Sequence, residues 1–167
     1  MPERLIIADT SPLLYLHLVN HLDLLRTLYG TVVTPPAVQA ELEAGVQVKG
    51  DVPDIAMLSW IEVKAVHSRA LIPAIVDLGP GEAEVIALGL EHPGHLLILD
   101  DLLARRVAAL NHLTYTGTMG VLIKAKQTGY LETVRPVIEG LRASGLWLTD
   151  ELVAMVLSQA GESLGTH

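Results

Sequence analysis

Leu5-Ile6-Ile7-Ala8-Asp9-Thr10-Ser11-Pro12 is the stretch whose reading decides the fold. Four apolar residues, too few for a helix, end abruptly in an acid. A hydroxyl pair and a proline follow, then the leucine-rich run from Leu13 to Leu28. This pattern predicts a buried strand, a sharp turn, and a helix with Ser11 as N-cap and Pro12 at its first position. In a central parallel strand, Asp9 would lie at the carboxyl end, where open α/β sheets place their ligands. The competing reading makes Asp9 a cap for the following helix. Thr10 and Ser11 can both do that instead.

Working outward, strand and helix alternate. Gly30 is a natural C-cap, Thr31 to Thr34 a short β-branched strand, and Pro35-Pro36 opens a helix through Glu43, stopped by Gly45. Residues 46–54 carry Gly50 and Pro53 and read as a loop or helix boundary. Ser59 to Val63 alternates as an edge strand would, and Ser68 to Leu78 reads as a helix kinked or started by Pro73. Gly79-Pro80-Gly81 launches a helix from Glu82 to Glu91. Leu96 to Leu99 is an apolar strand ending in Asp100-Asp101, with Asp101 as cap of a helix from Leu102 to Leu110. Leu113 to Thr116 is a strand, and Gly117-Thr118-Met119-Gly120 turns into a helix running to Lys126. Two further helices cover Leu131 to Ala143, with Pro136 a kink, and Thr149 to Gln159. The best strands are short apolar runs rather than alternating ones, which favours a parallel sheet covered on both faces. The expected fold is a single α/β domain over residues 1–167, a three-layer α/β/α arrangement around a mostly parallel sheet.

The 167 residues are 50% hydrophobic, enough for one sizeable core, and Phe is absent, so Leu, Val, Ile and Ala must fill it. Aromatic content of 4% makes a base-stacking sheet a poor expectation. Cysteine is absent, which removes disulfides and thiolate metal sites. No apolar run approaches the roughly 18 residues needed to cross a bilayer, and no signal peptide is evident. A cytoplasmic protein is therefore expected. The formal net charge of −8 argues against a broad electrostatic grip on nucleic acid. It leaves room for an enzyme whose acids gather around metal ions, because the ion then sets the local field.

Acids recur where such an enzyme would need them. Asp9 and Asp100 each end an apolar strand and should emerge on the same edge of a parallel sheet. Val85, Ile86, Gly89 and Leu90 share a helical face with Glu82, which points it along the buried stripe. A lone buried carboxylate is costly unless paired or metal-bound. Glu84 falls on the opposite side with Glu91, as a solvated helix acid would. Glu41 flanks the stripe of Val38 and Leu42 and would pass for an exposed acid on its own. Carboxylates converging at one sheet edge repel and have raised pKa values without a cation. Oxygen ligands with water left in the shell suit Mg²⁺ or Mn²⁺, and such a site can polarise a phosphodiester and orient an attacking water.

Ile6-Ile7-Ala8-Asp9-Thr10-Ser11, Val38-Gln39-Ala40-Glu41, Gly81-Glu82-Ala83-Glu84-Val85-Ile86-Ala87-Leu88 and Leu97-Ile98-Leu99-Asp100-Asp101 resemble, in order, the four acidic motifs of PIN-domain proteins. The likeness runs from about residue 5 to residue 126. The Gly-Glu-Ala-Glu segment, Asp-Asp-(x)₃-Arg ending at Arg105, and Thr116 to Leu122 are similar to a prokaryotic branch of predicted nucleic-acid-binding PIN proteins related to the VapC toxins. The resemblance implies a metal-dependent ribonuclease fold, often dimeric and often partnered by a small antitoxin. It implies that Asp9, Glu41, an acid of the Glu82/Glu84 pair and an acid of the Asp100/Asp101 pair hold Mg²⁺ or Mn²⁺. The commoner VapC pattern has a single Asp where this chain has two glutamates. Helical phase favours Glu82, and similarity to flap-nuclease motifs keeps Glu84 as an acid behind the ligands. Asp100 ends its strand while Asp101 caps a helix, and either can bind metal.

Further candidates are Thr10 and Ser11, able to hydrogen-bond a ligand carboxylate or a metal-bound water, and Gly117 and Thr118, whose backbone N–H groups can hold a phosphate. Arg105 lies opposite Leu103 and Val107 and reads as solvent-facing. His17 and His21 have zinc spacing but no third ligand, and His92 and His95 read as surface residues flanking a turn. The apolar residues of helices 131–160 would cover the sheet or form a homodimer interface. Two competing readings remain. One is a non-catalytic PIN-like module that binds RNA or a protein. The other is a haloacid-dehalogenase-like phosphatase, disfavoured because Ser11 stands where its second acid belongs.

Overall fold

The computed structural model describes residues 4–162, with the backbone alone of residues 46–49. Strand β1 (Leu5–Ala8) is the centre of a five-stranded sheet in the order β3-β2-β1-β4-β5. Its neighbours are β2 (Val32–Thr34) and β4 (His95–Ile98), with β3 (Ile61–Val63) and β5 (Tyr115–Thr116) at the edges. Every pairing is parallel, with Ile7 opposite both Val33 and Leu97. All residues of β2 and β4 are buried, and in β1 only Leu5 is partly exposed. That is why these strands read as unbroken apolar runs: layers of helices cover both faces of the sheet.

Among the described residues eight helices surround the sheet. They are α1 (Thr10–Leu18), α2 (Asp23–Tyr29), α3 (Pro36–Lys49), α4 (Pro80–Glu91), α5 (Leu102–Leu110), α6 (Thr118–Gln127), α7 (Arg135–Ala143) and α8 (Asp150–Gln159). The three-layer α/β/α architecture expected from the sequence is the one observed. The chain leaves β1 toward β2 on one side and later returns to β4 on the other. Strand order therefore reverses at β1, and in open α/β sheets the crevice that takes ligands lies at such a reversal, outside the strands' carboxyl ends.

Local expectations fared unevenly. The run Leu13 to Leu28 is not one helix: it breaks between α1 and α2 at Asn20, whose φ of 61° lies in the left-handed region that Asn tolerates. The N-cap of α1 is Asp9, not Ser11, and Pro12 is the third helical residue. It is tolerated because the N–H groups of a first helical turn have no partner within the helix. Gly45 does not stop α3. Its missing Cβ lets Val52 approach, since a Cβ there would lie 3.1 Å from Val52 Cγ1, and the break comes at Gly50 with φ 80°. The helix expected over Ser68–Leu78 reduces to one 3₁₀ turn, Arg69–Leu71. Pro136 opens α7 rather than kinking it. The edge strand, the helix Leu102–Leu110 and the Asp101 cap stand, the Asp101 carboxylate accepting the Ala104 N–H at 2.9 Å.

Val137, Ile138 and Leu141 of α7 and Val156 and Leu157 of α8 are buried in the same core as the sheet. Trp147 between them stays 82% exposed. Among the described residues no helix is long and apolar enough to cross a membrane.

Candidate active site

Asp9 follows the last residue of β1, and its N–H donates to the Ile98 carbonyl of β4 at 3.1 Å. This backbone bond points the side chain into the crevice between the two strands' ends. Asp9 is 2% exposed and makes no capping hydrogen bond, and its Oδ1 is buried without any partner among the described residues. An orphaned buried carboxylate oxygen is rare in a folded protein and calls for an explanation. Burial above all, then the Glu82 carboxylate, pushes the Asp9 pKa up to about 8, the Thr10 N–H pulling the other way and Glu41 and Asp100 adding to the rise. The three acids that raise it belong to three other elements.

Glu41 arrives from the second turn of α3. Its Oε2 accepts the Thr10 hydroxyl at 2.5 Å and its Oε1 accepts the Gly81 N–H at 2.9 Å. Gly81 is required here, since a Cβ would stand 2.7 and 2.8 Å from the two Glu41 oxygens. The carboxylate of one helix thus rests on the bare backbone of the next.

Glu82 is the third residue of α4, half-buried, with its carboxylate folded against Gly79, the N-cap. Burial raises its pKa first; the backbone N–H groups of Glu82 and Gly79 oppose this, and Glu41 and Asp101 add to the rise. Its contact with the N-cap is half of a capping box. The helical phase did not reveal that local role. Glu84 does not face open solvent as that phase implied. It is half-buried, and its Oε1 accepts the Ala37 N–H at 3.3 Å in the first turn of α3.

Asp100 lies just past β4. Thr118 holds both of its oxygens, the backbone N–H donating to Oδ1 at 2.8 Å and the hydroxyl to Oδ2 at 2.6 Å. The N–H of Thr118 that was a candidate phosphate donor is therefore engaged by an acid. Asp101 is exposed and turned into its capping role. Ser11 makes no hydrogen bond to these carboxylates among the described residues. The buried Thr34, which sequence reasoning passed over, donates its hydroxyl to the Ala8 carbonyl at 2.8 Å and ties the ends of β1 and β2 together beside Asp9. Its only sequence signal is a hydroxyl at the end of an apolar strand.

Two other expectations are corrected. Arg105 is half-buried rather than solvent-facing: its Nε donates to the Leu99 carbonyl at 2.7 Å and its guanidinium lies 5.3 Å from the Tyr115 ring centre. His95 is buried at the start of β4. Its Nε2 is 3.0 Å from the Thr114 N–H and must accept, so Nδ1 carries the proton donated to the His92 carbonyl at 2.7 Å. His17 pairs with Asp51 at 2.8 Å.

A family model described as "DUF3368: PIN domain" matches residues 5–162. The chain belongs to the PIN-domain family. PIN domains are generally nucleases and typically use divalent metals, so the fold is of the nuclease type. No curated protein matches the chain significantly.

The residues of this PIN domain meet the requirement of such a metal in donor chemistry. The crevice offers carboxylate oxygens only, one of them unpartnered. No group of three or more His, Cys, Asp or Glu side chains among the described residues closes into a protein cage. Mg²⁺ does not need one, since it usually retains several waters and takes one or two carboxylates. Asp9 is the oxygen donor left open. Glu41 and Asp100 keep lone pairs beyond the hydrogen bonds they accept.

Proposed function

We propose that this PIN domain is a Mg²⁺- or Mn²⁺-dependent endoribonuclease with Asp9, Glu41, Glu82 and Asp100 as its working acids. The observation that carries the reading is the buried oxygen of Asp9 at the strand-order reversal, partnerless among the described residues and facing acids of α3, of α4 and of the turn after β4. Such an arrangement is unfavourable by itself and becomes favourable around a cation. A bound divalent ion would polarise the phosphodiester and make its water more acidic.

The chain's own residues supply position and proton traffic. Burial and the neighbouring acids raise the Asp9 pKa to about 8, so Asp9 would hold a proton in the cation-free chain and release it on holding a cation. Thr10 and Gly81 fix Glu41, and Thr118 fixes Asp100. Neither acid need search rotamers when substrate binds. Glu82, with its raised proton affinity, is suited to take the proton of an attacking water. Glu84 and Asp101 serve behind these four, at the start of α3 and of α5. Similarity to the VapC branch supports a small antitoxin and a homodimer as partners, which co-purification and light scattering would test.

The deciding experiment incubates the purified chain with a mixed RNA pool in EDTA, Mg²⁺ or Mn²⁺ and maps the ends. Internal cuts that require the cation are expected. RNA bound but left intact under all conditions would make the chain a binding module. Phosphate released from small esters, with internal bonds spared, would make it a phosphatase.

A further inference from the structure

We propose that Arg105 contacts a phosphate of a single-stranded nucleic-acid substrate on the flank of the site beside Asp100, with Tyr115 and the Leu99 carbonyl as its positioning partners. The proposal takes its substrate class from the nuclease reading and adds the group that would hold that substrate.

The acids gathered around Asp9 repel a polyanion, as does the net charge of −8. A cation at the rim is needed to bring a phosphodiester to them. Arg105 stands there, beside Asp100. Lys126 and Arg142 pair with Glu162 and Asp150 at 3.4 and 3.1 Å, whereas no ion pair engages Arg105 among the described residues. Its neighbour Asp100 forms no ion pair with it among the described residues and instead accepts two hydrogen bonds from Thr118.

The guanidinium is also held in place. Its Nε is fixed by the carbonyl one residue before Asp100, and Tyr115 lies against it. Gly117 makes the room: a Cβ there would collide with Arg105 Nη2 and lie 2.7 Å from Asp100 Oδ1. Gly117 is extended, so its lack of a side chain serves this close approach rather than a special backbone angle. The two terminal amines donate no hydrogen bond among the described residues. A planar fork anchored through Nε leaves those amines for the oxygens of a phosphate. Tyr115 is 37% exposed, which leaves this flank open to solvent.

The test measures binding of a fluorescently labelled single-stranded RNA oligonucleotide by anisotropy over a range of salt. It uses the full chain with Asp9→Asn, which should not cleave, and the wild-type chain in EDTA. Arg105→Gln should weaken binding about tenfold, the scale of a lost charge-assisted hydrogen bond. It should also flatten the slope of log affinity against log salt by about 0.7, the value of one phosphate contact on a single strand. Arg105→Lys should restore the slope and part of the affinity, which a purely structural strap on Leu99 would not predict. An unchanged slope in Arg105→Gln, or no binding by either parent, overturns the proposal. Wild-type cleavage in Mg²⁺ is scored separately. Arg105-dependent binding without cleavage would sink the nuclease reading alone, and cleavage with an Arg105-independent slope would sink this proposal alone.

Discussion

Asp9 and Glu162 are both acids shielded from solvent, the first 2% exposed and the second with a side chain 12% exposed. Their surroundings differ in kind. Burial raises the Glu162 pKa, but the N–H groups of Val134 and Arg135 and the Lys126 ammonium outweigh it, and the net shift is downward. The two N–H groups lie 2.6 and 3.3 Å from its oxygens at the start of α7, and the ammonium lies 3.4 Å away near the end of α6. Asp9 faces three acids and one opposing N–H, and keeps an oxygen with no partner among the described residues. Glu162 joins two helices. Asp9 weakens the cation-free fold, and a domain that carries such a group at a strand-order reversal has a use for it.

The sharpest way to break this contrast is Asp9→Asn. The substitution keeps the shape and removes the charge, so cation-dependent RNA cleavage should fall by orders of magnitude. The cation-free chain should melt at the same temperature or higher, because a source of repulsion has gone. Circular dichroism and an Mg²⁺ cleavage assay on one preparation check both. A folded variant that cuts at the wild-type rate would remove Asp9 from the site.

Glu162→Ala should do the reverse. It strips the first turn of α7 of a charged acceptor, so stability in urea should drop by about 1–3 kcal/mol. Cleavage per folded molecule should be unchanged. A comparable loss of activity in the folded fraction would show that the two regions are coupled.

Acidity separates the two groups by sign. An unfolded Asp ionises near pH 4 and the folded Asp9 near about 8, so folding takes up a proton between those values. The unfolding free energy of the cation-free chain should therefore fall as pH rises through that window, with Glu82 contributing in the same direction. Glu162 contributes stability that is present above the unfolded glutamate pKa and lost as pH falls through its lowered folded value. Mn²⁺ competes with the Asp9 proton, so its stabilising effect should grow toward pH 8 and reach about 2.7 kcal/mol at a hundred times its Kd. Thermal melts across pH, in EDTA and in Mn²⁺, would show this. A cation-free stability that rises from pH 5 to 8 would refute the account of Asp9.

The smallest effect compares Glu82→Gln with Glu84→Gln. The first should reduce the Mn²⁺-induced rise in Tm more than the second, whose single 3.3 Å bond to Ala37 contributes little. Equal losses would bring Glu84 into the cation site.

The parallel sheet and the place of Asp9 were legible because strands buried on both faces leave an unmistakable mark: four apolar residues and then an acid. Asp101 as a cap was legible for the same local reason. What hid was tertiary. Nothing within a few residues of Gly45 says that Val52 will press on it, so a glycine inside a helix looked like its end. Arg105 has a surface residue's helical phase, yet a long flexible side chain reached back to the Leu99 carbonyl. Helical phase set Glu82 inward and Glu84 outward, yet both are half-buried, and the contact of Glu82 with Gly79 depends on the helix starting at Pro80 rather than two residues later. Thr118 looked like a phosphate donor because the sequence cannot show that Asp100, eighteen residues earlier, claims it first.

Thr118 also marks the point in the synthesis of the chain at which the acidic edge gains the residue that fixes its last member. The acids at positions 9, 41, 82 and 100 come together only through parallel pairings between distant segments, and the last of them is fixed by a residue further on. During synthesis, a chain that has not yet emerged beyond that threonine carries all four acids but lacks the partner that fixes Asp100. Contacts of this sequence separation form slowly and late. If the chain cuts RNA as proposed, the growing polypeptide, surrounded by the RNA of the machinery that makes it, would reach full activity only when its fold is nearly complete.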